Sequence, residues 1–191
     1  MVIKSAILGF LSWRPLAGYD LKKLFVDAGF IYWSGNNNQI YRTLVELHQE
    51  GLVADEVIVQ ERGPARKVYT ITAAGLAQLH AWLLTAPEAP QHKNAFLIQL
   101  AWADALQAED LDVLLARYAH EVEVQLLTAR EEKRRGRINP ARTGREALLW
   151  AAIHDNRIGF YERELAWVTK LRSDLAAGEG MQGNADDTAA P

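Results

Sequence analysis

The chain has 191 residues, 49% of them apolar and 24% charged, with a net charge of -3 and no cysteine. That composition suits one or two compact domains with a real core and rules out wholesale disorder. The missing cysteine excludes disulfide scaffolds, thiolate metal sites, iron–sulfur clusters and cysteine nucleophiles, and the slightly acidic balance means that any surface for nucleic acid must be local. The longest stretch without a formal charge, Val68 to Pro87, contains Thr70, Thr72, Gly75, Gln78 and His80 and changes period midway, so it does not read as a membrane span. The start, MVIKSAILGFLSW, lacks a small-residue cleavage site and runs directly into a patterned helix, which predicts a soluble, cytoplasmic protein.

In chain order, Ile3, Ile7, Phe10 and Leu11 follow helical spacing until Arg14-Pro15 stops the pattern. Leu21, Leu24, Phe25 and Ala28 predict a second short helix, ended at Gly29. The stretch Ser34-Gly35-Asn36-Asn37-Asn38 is rich in capping residues. A third helix follows it, with Ile40, Leu44 and Leu47 as core stripe and Gly51 as the glycine just past its end. Val53–Gln60 and Arg66–Thr72 read as two β-strands of a hairpin around Gly63-Pro64. Thr72 is placed to cap a fourth helix carrying Leu76, Leu79, Trp82 and Leu83. Three helices, a hairpin and a helix make the order of a winged helix-turn-helix.

The segment TAPEAPQHK, with Pro87 and Pro90, reads as a hinge. Beyond it, Leu111, Leu115, Tyr118, Val122, Leu126 and Ala129 alternate steps of three and four. The last helix repeats the device with Ile158, Tyr161, Leu165, Val168 and Leu175, a seam interrupted by Arg172. A second apolar stripe, Phe160, Trp167 and Leu171, lies beside it, and so wide a stripe calls for a partner surface. A dimerisation arm is expected, the alternative being an intramolecular bundle of the same helices. Residues 173–191 carry no Lys or Arg against 4 acids in a Gly/Ala-rich stretch, which predicts disorder from about Gly178 onward. The expected fold is therefore mainly α with a small β-hairpin wing: a winged helix-turn-helix DNA-binding domain over 1–86, a helical dimerisation and effector domain over 87–178, and a tail over 179–191.

On a helical wheel the third helix places Ile40, Leu44 and Leu47 together, with Asn38, Gln39, Arg42, Glu46 and Gln49 on the opposite side. Amide and guanidinium groups suit base edges, Gln or Asn on adenine and Arg on guanine. The first turn, Asn36 to Gln39, offers free backbone N–H groups to phosphate, which brings Asn37 into the candidate surface. Glu46 and Glu50 weaken the case toward the helix's end. The hairpin adds Arg62, Arg66 and Lys67 near its tip, suited to phosphates or a minor groove, and Lys22 and Lys23 of the second helix could reach the backbone in the same docking. The competing reading is a winged helix used as a protein-interaction module without specific DNA binding.

GYDLKKLF (Gly18–Phe25), NQIYRTLVELHQEGLV (Asn38–Val53) and RKVYTITAAG (Arg66–Gly75) resemble the PadR family of winged-helix transcriptional regulators, in the family's order and spacing. The resemblance implies that Gln39 and Tyr41 face DNA with Ile40 in the core, and that Gly63, Pro64, Ala65, Arg66 and Lys67 stand for the wing motif. Arg42 stands where many members have proline, and His92, Lys93 and Asn94 replace a charged run that often opens the second domain. The resemblance further implies a homodimeric, effector-responsive repressor on a pseudo-palindromic double-stranded operator, released by phenolic or planar aromatic molecules. Trp102, Trp150 and Trp167 are the candidate effector contacts that follow from it.

Seven basic residues crowd positions 130–145, and a solvated helix end explains them better than a second DNA contact. The five histidines show no metal-ligand spacing, and no phosphate-binding or nucleophile-elbow motif occurs. Neither an enzyme nor a cofactor is expected.

Overall fold

The protein is described here by a computed structural model covering residues 2–28, 37–58, 65–90, 94–136 and 142–186, the side chains of Asn37 and of residues 179–186 excepted. The chain divides into two compact units, the first formed by residues up to Ala89 and the second by the helices from Pro90 onward. Helices dominate, and one small antiparallel sheet forms the wing.

In the first unit, α1 (Val2–Leu11), α2 (Gly18–Asp27) and α3 (Asn37–Gln49) pack around Ile7, Leu8, Leu11, Leu21, Phe25, Ile40, Leu44 and Leu47, all but sealed from solvent. Phe10 meets Phe25 edge-on at 5.4 Å, a favoured aromatic geometry. The hairpin strands β2 (Val53–Ile58) and β3 (Arg66–Ile71) pair from Val53 opposite Ile71 to Ile58 opposite Arg66. A two-residue strand, β1 (Leu16–Ala17), joins the far side of β3, giving the sheet order β1-β3-β2. No hairpin pattern anticipates it, because two residues are too few to show a period of two.

The turn from α3 into the sheet and the start of α4 (Ala73–Leu83) share one set of atoms. Gly51 adopts a left-handed conformation at φ 70°. It lets Gly51 N–H donate to His48 and Leu52 N–H donate to Leu47, which satisfies carbonyls at the helix end. The Thr72 hydroxyl donates to the Gly51 carbonyl at 2.9 Å and accepts from Gly75 N–H at 3.0 Å, so one side chain closes α3 and caps α4. Gly75 sits against the Leu52 carbonyl so closely that a Cβ there would lie 2.1 Å from its oxygen. Along α4 only Gly75 is buried; Leu79 and Trp82 of the expected stripe are partly buried, whereas Leu76 and Leu83 are exposed.

The second unit contains α5 (Ala95–Ala101), a short turn of tighter helix at Ala103–Ala105, α6 (Ala108–Arg135) and α7 (Gly144–Asp186). Phe96, Leu115 and Val168 form its buried centre, with Leu111, Leu165, Leu171 and Leu175 packed on them. The α6 stripe read from the sequence is the packed one: Leu115, Val122, Leu126 and Ala129 are buried. Arg172, which breaks the apolar seam of α7, grips Asp112 of α6 through two hydrogen bonds of 2.8 and 2.9 Å. The backbone of α7 continues to Asp186, beyond the Gly178 where disorder is expected. Ala176, Ala177, Glu179, Met181 and Gln182 favour helix; the scattered glycines oppose it at about 1 kcal/mol each relative to alanine, and Asn184 and Asp186 do so more weakly.

The α5 helix has a side-chain clasp. The Asn94 side-chain carbonyl accepts from Phe96 N–H at 3.0 Å, while its amide donates to the Tyr118 hydroxyl at 2.7 Å. Tyr118 in turn donates to Glu164 of α7 at 2.6 Å and stacks on Phe96 with ring centroids 3.6 Å apart. Burial and the bond to Glu164 push the Tyr118 phenol up to about 12.

Two outcomes follow. Gly75→Ala forces a methyl into a backbone carbonyl that cannot move aside, and urea denaturation should show a loss of about 3 kcal/mol. Tyr118→Phe strands the Asn94 amide and the Glu164 carboxylate and should cost about 1–2 kcal/mol by the same measurement. Because the folded-state value lies above the ordinary 10.0 of the phenol, the proton is held more tightly in the native state. That contribution is complete below pH 10 and disappears as pH rises toward 12, so the alkaline loss of stability should be shallower in Tyr118→Phe.

Candidate nucleic-acid interface

The inner side of α3 is apolar and sealed: Ile40, Leu44 and Leu47 are buried, and Thr43 joins them by donating its hydroxyl to the Gln39 carbonyl at 2.8 Å. Fixing that side turns Asn38, Gln39, Tyr41 and Arg42 outward. The Arg42 side chain is 84% exposed and only loosely paired with Glu46 at 3.4 Å, leaving it free to swing. Asn37 opens the helix, and Arg62 lies outside the described residues.

Glu46 and Glu50, which by sequence argue against a polyanion partner, are both held by Lys4 of α1, at 3.3 and 2.6 Å. The hydrogen bond to Glu50 raises the Lys4 ammonium above its usual range, and the acids at the end of α3 have a cation beside them. Sequence reading missed Lys4, because its partners lie more than forty positions away.

Tyr41 is half exposed, and its ring lies over Gly18, the first residue of α2. A Cβ on Gly18 would stand 2.5 Å from the ring, so the glycine seats the tyrosine. On the same helix Lys23 is exposed with its ammonium 4.6 Å above the Tyr19 ring, and Lys22 is half-buried. Tyr19, exposed beside Lys23, is a candidate phosphate contact that the sequence reading did not single out. Its only signal is an aromatic at i with a lysine at i+4.

The described wing cations, Arg66 and Lys67, are occupied. Arg66 pairs with Asp20 of α2 at 3.3 Å, and Lys67 pairs with Asp55 of β2 at 3.1 Å. The bond to Asp55 holds the Lys67 ammonium above its ordinary value. Asp20 also accepts from Ala17 N–H at 3.3 Å and so helps start α2. Asp55 further meets His48, on the last turn of α3, at 2.9 Å.

In the second unit the basic residues at 130–135 are tied up in ion pairs, while Arg145 is exposed and Arg137 lies outside the described residues. Arg130 pairs with Glu162, Lys133 with Asp155 and Arg157 with Glu132, joining α6 to α7. Arg134 and Arg135 share Glu131, whose carboxyl their hydrogen bonds hold down to about 2. Trp167 touches Phe96 edge-on at 6.2 Å, Trp150 is partly buried, and Trp102 is 77% exposed at the end of α5. Trp150 and Trp167 lie on one continuous helix and stand about 25 Å apart along it, too far for one small planar molecule to touch both within a chain. Two grooves run beside α6 and α7, of about 470 Å³ near Arg172 and about 750 Å³ near Leu127, and neither is lined by these tryptophans. Among the described residues no group of His, Asp and Glu is placed to hold a metal ion, and no helix is long and apolar enough to cross a membrane.

An exposed amide-and-arginine face on the third helix, with a basic hairpin beside it, defines a winged-helix regulator. Residues 7–81 match the Transcriptional regulator PadR-like family. The negative transcriptional regulator PadR of Bacillus subtilis is 27% identical over 92% of this chain and 96% of its own length. Its crystal structure in complex with operator DNA superposes with a TM-score of 0.80 at 22% identity, covering 92% of this chain and 99% of that one. Its structure in complex with p-coumaric acid does so with a TM-score of 0.75 at 21% identity, over the same shares. Over residues 7–81 the chain is thus similar to the PadR-like transcriptional regulators, and over most of its length it shares the fold of the solved Bacillus regulator.

Gly18→Ala should displace the Tyr41 ring, which has solvent to move into. Thermal unfolding should therefore change little, while affinity for a specific duplex, read by fluorescence anisotropy, should fall about tenfold if Tyr41 contacts DNA.

Proposed function

We propose that this protein is a cytoplasmic, homodimeric repressor that seats α3 in the major groove of each half of a pseudo-palindromic operator, with the wing against the backbone. The observation that carries the reading is the outward set Asn38, Gln39, Tyr41 and Arg42 on a helix whose other side is buried. Asn37, Lys22 and Lys23 extend the surface, and Arg62, Arg66 and Lys67 supply the wing's phosphate contacts. The second unit serves as the dimerisation and effector domain. Phe160, Trp167 and Leu127 present apolar area to solvent along α6 and α7, of the kind that a second copy covers. A planar aromatic or phenolic molecule is the proposed effector, in keeping with the p-coumaric acid bound by the Bacillus relative. Trp167, Trp102 and Trp150 are candidate contacts, of which Trp167 already has an aromatic neighbour in Phe96. The effector acts by shifting the population of dimers whose recognition helices match the half-site spacing.

The test is anisotropy with the duplex upstream of the protein's own gene against a scrambled duplex, at two salt concentrations. Specific recognition should appear as binding at least about a thousandfold tighter to the promoter duplex. Gln39→Ala should cost about 1–3 kcal/mol there and relax preference at one base position. Absence of binding to either duplex at low salt, alongside a tight protein partner, would select the interaction-module reading instead.

A further inference from the structure

We infer that Asp20 and Asp55 are specificity-determining residues: they act as built-in counter-ions for the wing, so that only a duplex seated on α3 gains the contacts of Arg66 and Lys67. The inference rests on the reading of the wing as a DNA contact. Arg66 and Lys67 each have their own carboxylate, and the two carboxylates come from different elements: Asp20 from α2 and Asp55 from β2. The Asp55 side chain is only 16% exposed, whereas its partners His48 and Lys67 are about half exposed. The anion is therefore fixed in the fold and the cations lie on its solvent side, where a phosphate could approach them.

A carboxylate and a phosphate offer an ammonium or guanidinium the same kind of paired oxygens. Exchange of one for the other leaves the displaced carboxylate uncompensated beside a polyanion. A loosely placed duplex has nothing to offset that repulsion, so the occupied cations add little to its binding. A duplex with α3 in its groove gains base contacts at the same time, and these drive the exchange. His48 strengthens the arrangement, because Asp55 ties the last turn of the recognition helix to the strand that faces Lys67. Helix and wing thus share one anion, and the state of the wing is linked to the seating of the helix.

The test uses the full chain, a scrambled-sequence duplex and the promoter duplex, with anisotropy read across a salt series. Asp55→Asn keeps the shape and the hydrogen-bond acceptor while removing the charge, and Asp20→Asn does the same at Arg66. Each should bind scrambled duplex roughly tenfold more tightly at about 50 mM salt, and should steepen the slope of log K against log salt by about 0.9. Promoter affinity should rise less, so the ratio of the two falls. Adding Lys67→Met to Asp55→Asn should return scrambled-duplex binding to the wild-type level, a reversal that a merely structural role for Asp55 would not produce. Wild-type binding with both asparagine variants unchanged or weaker on scrambled duplex would overturn the inference and leave the DNA-binding reading intact. A wild-type protein that binds neither duplex would overturn both.

Discussion

Burial of Ile40, Leu44 and Leu47 sets the rotation of α3 about its own axis, and every feature of the candidate interface depends on that angle. Each of those side chains contributes about 1.5–3 kcal/mol by leaving water. Turning the helix by one residue would expose part of that stripe and press Gln39 or Glu46 into an apolar core without partners, a far larger cost. The outward face is thus selected by what lies on the other side of the helix. Tyr41, at the border between the two sides, needs a neighbour without a side chain, and Gly18 is that neighbour.

Charge plays the second part, by local cancellation. Residues 1–86 carry 8 Lys and Arg against 7 Asp and Glu, so no broad field distinguishes the winged helix. What the fold adds is placement: Lys4 takes up the acids at the end of α3, while Gln39 and Arg42 stay at its open start. In the second unit the apolar seam of Leu115, Val122, Leu126 and Val168 holds α6 to α7, and ion pairs line its edges. The exposed ones, such as Arg130–Glu162, contribute little individually, about 0–1 kcal/mol, and their use is to fix which rows of the two helices face each other.

Much of the scaffold is legible from periodicity and punctuation. The stripes of α3 and α6, the glycine at Gly51 and the Thr72 cap are local signals, each readable within a few residues of chain. The features that escape are those set by distant residues or by segments too short for a period. The strand β1 exists because β3 offers it an edge, and α5 is held by Asn94 and Tyr118 across 24 positions. The pairing of Arg66 and Lys67 with Asp20 and Asp55 is likewise a product of packing, and a count of basic residues near a hairpin tip cannot reveal it. Arg172 reads as a flaw in an apolar seam until Asp112, sixty positions earlier, is brought opposite.

The length of α7 has a mechanical consequence. From Gly144 to Leu175 the helix contains no proline and rises about 47 Å, so it behaves as a stiff rod resting on α6. Pivoting about its middle, a rod of that length converts a tilt of about five degrees into a displacement of about 2 Å at each end. Such a tilt needs only a small sliding of side chains along the Leu126–Val168 seam, with every backbone hydrogen bond of the helix kept. The second unit is therefore built to enlarge a small rearrangement at its centre into a larger one at its extremities, without melting any part of itself.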